Sequence, residues 1–420
     1  MGFQQGLSGL NAAAKNLDVV GNNVANANTV GFKQSQAQFA DVYSTMVGGS
    51  GGIAAVGIGT KVSVVQQFGQ GNTSVTNNPL DMAINGQGFY QMDNNGSITY
   101  SRNGQFQLDK DGYIVNSLGH KLSGFSANPL TGAISLGSAV PLQLSTASIL
   151  PQPSTSSTVG VNLDSRMSVP TTAVFDPNDS TSYNSSTALT LYDSLGNSHI
   201  ANQYFVKNAT LNTWDVHMTV DGLGLDGTAA TAANTLMGTS PSLTFSSIGV
   251  LTSPVSGDIA VTGGVVYATG ATTPQPLTFN FSSTTQFGAP FAVNKLTQDG
   301  FTSGQLSGFS TSADGIILGR YTNGQSKALG QVLLVNFANP QGLQPLGGNE
   351  WASSTSSGQP LVGTPGTSSL GTIQSNAVED SNVDLTAELV NMIMAQRVYQ
   401  ANAQTIKTQD AMMQTITSLR

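Results

Sequence analysis

Both ends of this chain carry apolar side chains at seven-residue intervals, and this pattern constrains the fold more than any other feature. The N-terminal set is Phe3, Leu7, Leu10, Ala14, Leu17, Gly21 and Val24. A seven-residue apolar repeat forms one seam along a helix, as in a coiled coil. Because residues 2–24 also contain four glycines, such a helix would form poorly alone in water. The N-terminal helix therefore needs a partner.

The C-terminal segment, residues 382–419, has the properties of that partner, since neither Gly nor Pro interrupts it. Its apolar positions are Leu385, Leu389, Met392, Ala395, Tyr399, Ala403, Ile406, Met413 and Ile416. At 1.5 Å per residue the predicted helix is about 57 Å long, which exceeds an ordinary globular helix. We predict that the two terminal helices form an assembly interface with each other and with further copies of the chain. The alternative is that both helices pack onto the domain that they flank.

Between the two ends, the sequence changes to short alternating strands separated by tight turns. Asn95-Gly96 and Asn103-Gly104 are strong hairpin signals, because both residues of such a turn must tolerate positive φ. A similar pattern returns in residues 294–361. The intervening stretch is rich in Ser, Thr, Ala and Pro and contains further strand patterns. It is typical of a separate β domain inserted into a loop of the first one.

The predicted fold class is α+β and mostly β, with paired N- and C-terminal coiled-coil helices and two nested antiparallel β domains. The predicted domains are a helical assembly domain (1–30 with 375–420), a Gly-rich connector (31–75), a first β domain (76–145 with 289–370) and an inserted second β domain (146–288). The connector is predicted to be pliable and to act as a hinge. The hinge glycines are Gly48, Gly49, Gly51, Gly52, Gly57 and Gly59.

The surface is predicted to carry little charge. Charged residues make up only 9% of the chain, whose net charge is −8. A surface of this kind repels its own copies weakly, which suits self-association, although a secreted β-rich protein can have the same composition. The 14 Lys and Arg are scattered singly, so we expect no nucleic-acid partner and no binding to an anionic membrane. No apolar run approaches the length of a membrane span, so no membrane insertion is expected.

The sequence offers no arrangement of residues that points to catalysis. His120, His199 and His217 are far apart and lack the spacing of metal ligands. There is no cysteine, which excludes disulfides and thiolate chemistry. Neither a nucleophile elbow nor a Walker loop is present. We therefore predict no catalytic, cofactor-binding or metal-binding residue and no enzymatic activity.

Several stretches resemble one known family, the flagellar rod and hook proteins. At the N-terminal side, residues 22–33 (NNVANANTVGFK) are similar to the family's signature. Residues 81–90 (DMAINGQGFY) and 100–106 (YSRNGQF) resemble the start of its β domain. The C-terminal run from residue 381 (SNVDL) through 396–402 (QRVYQAN) is similar to its closing helix.

The resemblance implies a structural subunit that assembles into a curved, flexible tube, a universal joint between rod and filament. Its implied partners are copies of itself, the rod and hook–filament junction proteins at the two tube ends, and the flagellar type III export apparatus. The implied location is the extracellular flagellum. Residues 1–7 lack the pattern of a cleaved signal peptide, which agrees with such an export route. The size of the inserted domain favours the hook over the distal rod. The alternatives are a distal rod protein, a secreted adhesin or binding module, and a hydrolase hidden in the inserted domain.

Overall fold

The computed structural model describes residues 2–42, 59–129, 131–238 and 242–418. The chain divides into two compact units. Unit 1 consists of residues 1–146, 307–320 and 326–420, and unit 2 of residues 147–306 and 321–325. Within the described ranges the α-helices are α1, Gly2–Ala25, and α2, Leu385–Ser418, and most other regular structure is β. This confirms the prediction of a mostly β chain of the α+β class.

The strands are short and numerous. Those before residue 147 are β1 Ser35–Val42, β2 Gly59–Gln66, β3 Thr73–Val75, β4 Met82–Asn85, β5 Phe89–Asn94, β6 Ser97–Ser101, β7 Gln107–Leu108, β8 Ile114–Val115, β9 Lys121–Ser126 and β10 Val140–Pro141. Unit 2 contains β11 Ser156–Asp164, β12 Ser185–Tyr192, β13 Ser198–Lys207, β14 Thr213–Val220, β15 Ser242–Phe245, β16 Leu251–Ser253, β17 Asp258–Ala260, β18 Thr278–Asn280, β19 Thr285–Phe287 and β20 Ala292–Gln298. The remaining strands are β21 Leu306–Thr311, β22 Ile316–Tyr321, β23 Ser326–Val332, β24 Leu334–Asn336, β25 Gln344–Gly347, β26 Glu350–Ala352, β27 Leu361–Gly363, β28 Thr372–Ser375 and β29 Ala377–Glu379, and a 3₁₀ turn lies at Pro340–Gly342.

Unit 1 is built around a 13-stranded sheet in which β5 pairs with β6, β9 and β24. Its apolar side chains form two buried clusters. One is centred on Met82, Tyr90 and Leu122, and the other is largely aromatic. In the aromatic cluster Phe89 meets Trp351 edge to face, with their ring centroids 5.8 Å apart. Edge-to-face packing suits the charge distribution of aromatic rings and fixes their relative orientation.

Two predicted hairpin turns in unit 1 have different outcomes. Asn95 and Gly96 both have positive φ and join β5 to β6, as predicted. The prediction for Asn103-Gly104 is wrong, because no strand pair is joined there. A Cβ on Gly104 would lie 1.7 Å from the carbonyl oxygen of Met82, so glycine is required for close backbone approach rather than for a turn.

Unit 2 contains two five-stranded sheets that share one core. The sheet β12–β16 is antiparallel, with Trp214, Val216 and Met218 of β14 fully buried. In the other sheet β11 pairs in parallel with β18 and β19. The prediction of a purely antiparallel inserted domain is therefore wrong. Parallel neighbours need a long crossover connection, and local turn signals cannot reveal such a pairing.

Candidate assembly interface

The two terminal helices pack against each other in unit 1. A Cβ added to Gly6 would lie 3.1 Å from Cγ1 of Ile406, and one added to Gly9 would lie 3.0 Å from the Asn402 side chain. Residue number rises along α1 as it falls along α2 in these contacts, so the helices run antiparallel. Glycine at positions 6 and 9 leaves room for these side chains of α2, which gives two of the four helix-weakening glycines a packing role.

The face of α1 that is buried within the chain is not the predicted apolar seam. The buried apolar side chains of α1 are Ala12, Ala13, Val19 and Val20. The predicted residues Leu10, Ala14, Leu17 and Val24 are half-buried, and Leu7 is 44% exposed. The side chain of Phe3 lies outside the described part of the structure. Small residues thus fill the contact within the chain, while the leucines keep much of their surface free.

The predicted interface residues of α2 also differ in how far they are buried within the chain. Ala395 is buried, and Met392, Ala403 and Ile406 are half-buried. Leu385, Leu389, Tyr399 and Met413 are exposed. The side chain of Ile416 lies outside the described residues.

Sequence reasoning missed further apolar side chains that α2 exposes. These are Val390, Ile393, Met394, Val398 and Met412. They lie outside the seven-residue rows, so a search for one seam does not find them. The available signal was an apolar surface on α2 that is wider than one seam.

A cleft of about 820 Å³ lies between α1, β1 and α2. Its lining includes Ala13 and Val20 of α1, Phe39 of β1, and Met394 and Val398 of α2. Side chains of this kind fill a core when they are well packed. The helices and strands of one chain therefore do not cover each other completely.

The predicted connector is partly folded. Strands β1 and β2 form an antiparallel pair from Ser35↔Gln66 to Val42↔Gly59. Gly59 is thus the first residue of a strand. The other predicted hinge residues, Gly48, Gly49, Gly51, Gly52 and Gly57, lie outside the described residues.

A buried ionic cluster joins the segments that leave the two helices. The Nζ of Lys33 lies 2.6 Å from Oε1 of Glu379, and Nη1 of Arg102 donates to Oε2 of Glu379 at 3.0 Å. The side chains of Lys33 and Glu379 are 0% exposed. Burial lowers the pKa of the Lys33 ammonium below its ordinary value, the Glu379 carboxylate raises this pKa, and Arg102 lowers it further.

Sequence reasoning did not single out this cluster. Lys33 and Arg102 lie in two of the stretches that carry the family resemblance, residues 22–33 and 100–106. The available signal was that Lys33 and Arg102 are each a single charged residue with uncharged neighbours in the sequence. The partner Glu379 is nearly 350 residues from Lys33, so only the fold identifies the pair.

In the described part of the chain, the histidines form no arrangement typical of a metal site. His120 contacts Glu350, His199 contacts Asp193 and Asp221, and no group of three or more His, Cys, Asp or Glu there is placed to hold a metal ion. Burial lowers the pKa of His217 to about 4, with Asp215 opposing the change. In the same described residues, no helix has both the length and the hydropathy to cross a membrane.

Comparison with protein families finds four flagellar domains along this chain. Residues 3–33 match the flagella basal body rod protein family, and residues 374–419 match the C-terminal domain of the flagellar basal body rod FlgEFG proteins. Residues 83–167 match the D1 domain of flagellar hook proteins FlgE/F/G, and residues 162–301 match the FlaE D2 domain.

Similar proteins cover the whole chain. The flagellar hook protein FlgE of Salmonella typhimurium is 41% identical over 424 residues, and that of Escherichia coli K12 is 41% identical over 427, with 100% of both chains covered in each case. The crystal structure of Helicobacter pylori flagellar hook protein FlgE2 superposes with a TM-score of 0.51 at 14% identity, over 73% of this chain and 100% of that one, and shows a shared fold. The terminal helices with their uncovered apolar faces, the four matching domains and the full-length relatives agree, and the chain belongs to the family of flagellar hook proteins, the structural subunits of the flagellar hook.

Proposed function

We propose that this chain assembles with copies of itself into the wall of the hook tube through its terminal helices, which pair as coiled coils. The observation that carries the proposal is the apolar surface of α2. Eight of its large apolar side chains are between 45% and 61% exposed: Leu385, Leu389, Val390, Ile393, Met394, Val398, Met412 and Met413. Such a surface on one helix marks an interaction site.

Covering the exposed area favours assembly. Burying a whole side chain of this kind is worth about 1.5–3 kcal/mol, so covering the remaining half is worth about 1 kcal/mol for each. The eight side chains together then contribute about 8 kcal/mol per chain, before the cost of ordering the helices. The half-covered Leu7, Leu10 and Leu17 of α1, and the cleft between α1, β1 and α2, add further surface for a neighbouring copy.

Flexibility of the tube is assigned to the segment between β1 and β2. Bending lengthens one side of a tube and shortens the other, so neighbouring subunits must shift relative to one another. Glycine-rich chain absorbs such shifts with little strain. Deleting residues 48–59 and imaging the assembly tests this role. Polymers that curve and bend as before would count against it.

Family membership supports the remaining features of the proposal. The tube joins rod to filament and transmits torque between them, with rod and junction proteins at its two ends. The chain is exported unfolded through the flagellar type III apparatus, acts outside the cell and catalyses no reaction. Its freedom from cysteine suits passage as an unfolded chain, because no cross-link can form on the way.

Electron microscopy of the purified chain under polymerising conditions tests the central claim. We expect helical tubes from the full chain and none from a chain that ends before α2. Soluble, monodisperse full-length protein with both helices folded onto the β-sheet part of unit 1 would overturn the proposal. A tube that is straight and inflexible would indicate a rod subunit instead.

A further inference from the structure

Three separate parts of the chain meet at the carboxylate of Glu379. Oε1 accepts from Nζ of Lys33 at 2.6 Å and from the backbone N–H of Gly71 at 2.9 Å, while Oε2 accepts from Arg102 at 3.0 Å. The backbone carbonyl of Glu379 also accepts from the N–H of Gly31 at 2.8 Å. Both carboxylate oxygens are therefore used, and all of the partners are distant in sequence.

The cluster is buried and unbalanced in charge. Two cationic side chains share one carboxylate, and all three side chains are at most 3% exposed. Nζ of Lys33 donates in addition to the Gly69 carbonyl at 2.7 Å, and Arg102 donates to the Gly86 carbonyl at 2.8 Å. Removing one partner of a buried ionic group leaves an uncompensated charge, which is strongly destabilising. The arrangement thus tolerates little displacement of any of its members.

The cluster lies where both helices join the β-sheet part of unit 1. Lys33 follows the end of α1 at Ala25 by eight residues, and Glu379 precedes the start of α2 at Leu385 by six. Backbone contact is equally close, since a Cβ on Gly71 would lie 2.0 Å from the carbonyl oxygen of Asp380.

A second layer of amide contacts extends the same junction. The backbone N–H of Gln34 donates to Oδ1 of Asn382 at 2.7 Å, and Nδ2 of Asn382 donates to the Gln67 carbonyl at 2.8 Å. The Gln34 side chain donates to Glu388 in the first turn of α2. The segment after α1 and the segment before α2 are therefore bonded to each other as well as to the cluster.

We propose that Glu379 is a positioning residue whose buried cluster clamps the exits of both terminal helices to the β-sheet part of unit 1. The clamp holds the two helices in one direction relative to that sheet, so that twisting force passes between them through a rigid point. Displacement during bending then occurs elsewhere in the chain. The transmission of twisting force rests on the proposed role as a tube subunit. The contacts of the clamp lie within one chain and do not depend on that role.

Hydrogen–deuterium exchange of the unassembled full-length chain tests the clamp. In Glu379→Gln we expect exchange to speed up by about tenfold or more in residues 29–35, 69–72 and 376–384, with β5 and β9 unchanged. Asp193→Asn is the matched control, since it neutralises a buried carboxylate of unit 2 and should leave these three segments as they are. Unchanged exchange in the three segments, or an equal increase throughout unit 1, would overturn the proposal.

Lys33→Met keeps the test decisive if Glu379→Gln does not fold. It removes one of the two cations and leaves the pair of Arg102 with Glu379 intact. Faster exchange confined to residues 29–35 and 69–72 supports the clamp, and wild-type exchange there contradicts it.

A distance measurement separates positioning from simple stability. Because the chain has no cysteine, spin labels attach only at introduced sites, such as Ser97→Cys in the sheet and Gln400→Cys on α2, both exposed. In spin-diluted polymers we expect Glu379→Gln to broaden the distribution of distances between the two labels. An equally narrow distribution would refute a positioning role. Failure of the wild-type chain to polymerise would refute the proposed function and leave the exchange result intact.

Discussion

Replacing Ile393 on α2 with serine isolates the contribution of the exposed apolar surface. Ile393 is 52% exposed in the single chain, so about half of its side chain is free to be covered by a neighbour. Covering that half is worth about 1–1.5 kcal/mol. A buried serine hydroxyl without a partner costs about 1–3 kcal/mol in addition. The total of about 2–4 kcal/mol corresponds to a rise in critical concentration of roughly 30- to 1,000-fold.

The assay is the critical concentration for polymerisation, measured by sedimentation at fixed temperature and salt. Isoleucine and serine have similar helix propensities, so the change acts on the interface more than on helix formation. Gln404→Ser on the same helix is the control, because it replaces an exposed polar side chain and should change the critical concentration less than about tenfold. An Ile393→Ser chain that polymerises at the wild-type concentration would refute the reasoning.

Three further changes probe other parts of the molecule. Ile406→Asp places a charge where α2 packs on α1 and should abolish tubes in electron micrographs, with strand content retained by circular dichroism. Gly104→Ala forces a Cβ to within 1.7 Å of a backbone carbonyl oxygen and should lower the free energy of unfolding of unit 1, measured by urea titration, by about 1–3 kcal/mol, whereas Gly308→Ala has open space and should not. Burial lowers the pKa of His217 to about 4 from an ordinary 6.5, so the unfolded chain binds the proton more readily. The free energy of unfolding of unit 2 should therefore fall by about 3 kcal/mol as pH drops from 6.5 to 4, measured by tryptophan fluorescence in a Trp351→Phe chain, and His217→Gln should remove this dependence.

A specific result would contradict each of these three predictions. Tubes formed by Ile406→Asp would show that the contact between α1 and α2 is dispensable. Equal losses in Gly104→Ala and Gly308→Ala would show that the close approach at residue 104 is not the cause. An unchanged pH profile in His217→Gln would assign the acid sensitivity to another group.

Local patterns predicted the kinds of elements well. The seven-residue rows at both ends, and the absence of Gly and Pro from the C-terminal segment, indicated a helix at each end, and α1 and α2 lie there. Asn95-Gly96 indicated a hairpin, since few other residue pairs adopt positive φ at both positions. These outcomes depend on neighbours in the sequence, which is why they could be predicted.

Other predictions failed where glycine or strand direction depended on distant residues. Gly104 has the sequence context of a turn, yet its role is to admit the carbonyl of Met82. The parallel pairing of β11 with β18 joins residues more than 100 positions apart. Neither contact leaves a local pattern.

The sequence by itself determined that this chain has apolar helices at its ends, β structure between them and little charge, because composition and periodicity decide what each segment can bury. Only the tertiary structure decided which face of α1 is covered within the chain, since that depends on where α2 lies. It alone brought Lys33, Arg102 and Glu379 together. A buried charge must find its partner in space, and nothing in the spacing of residues along the chain specifies that partner.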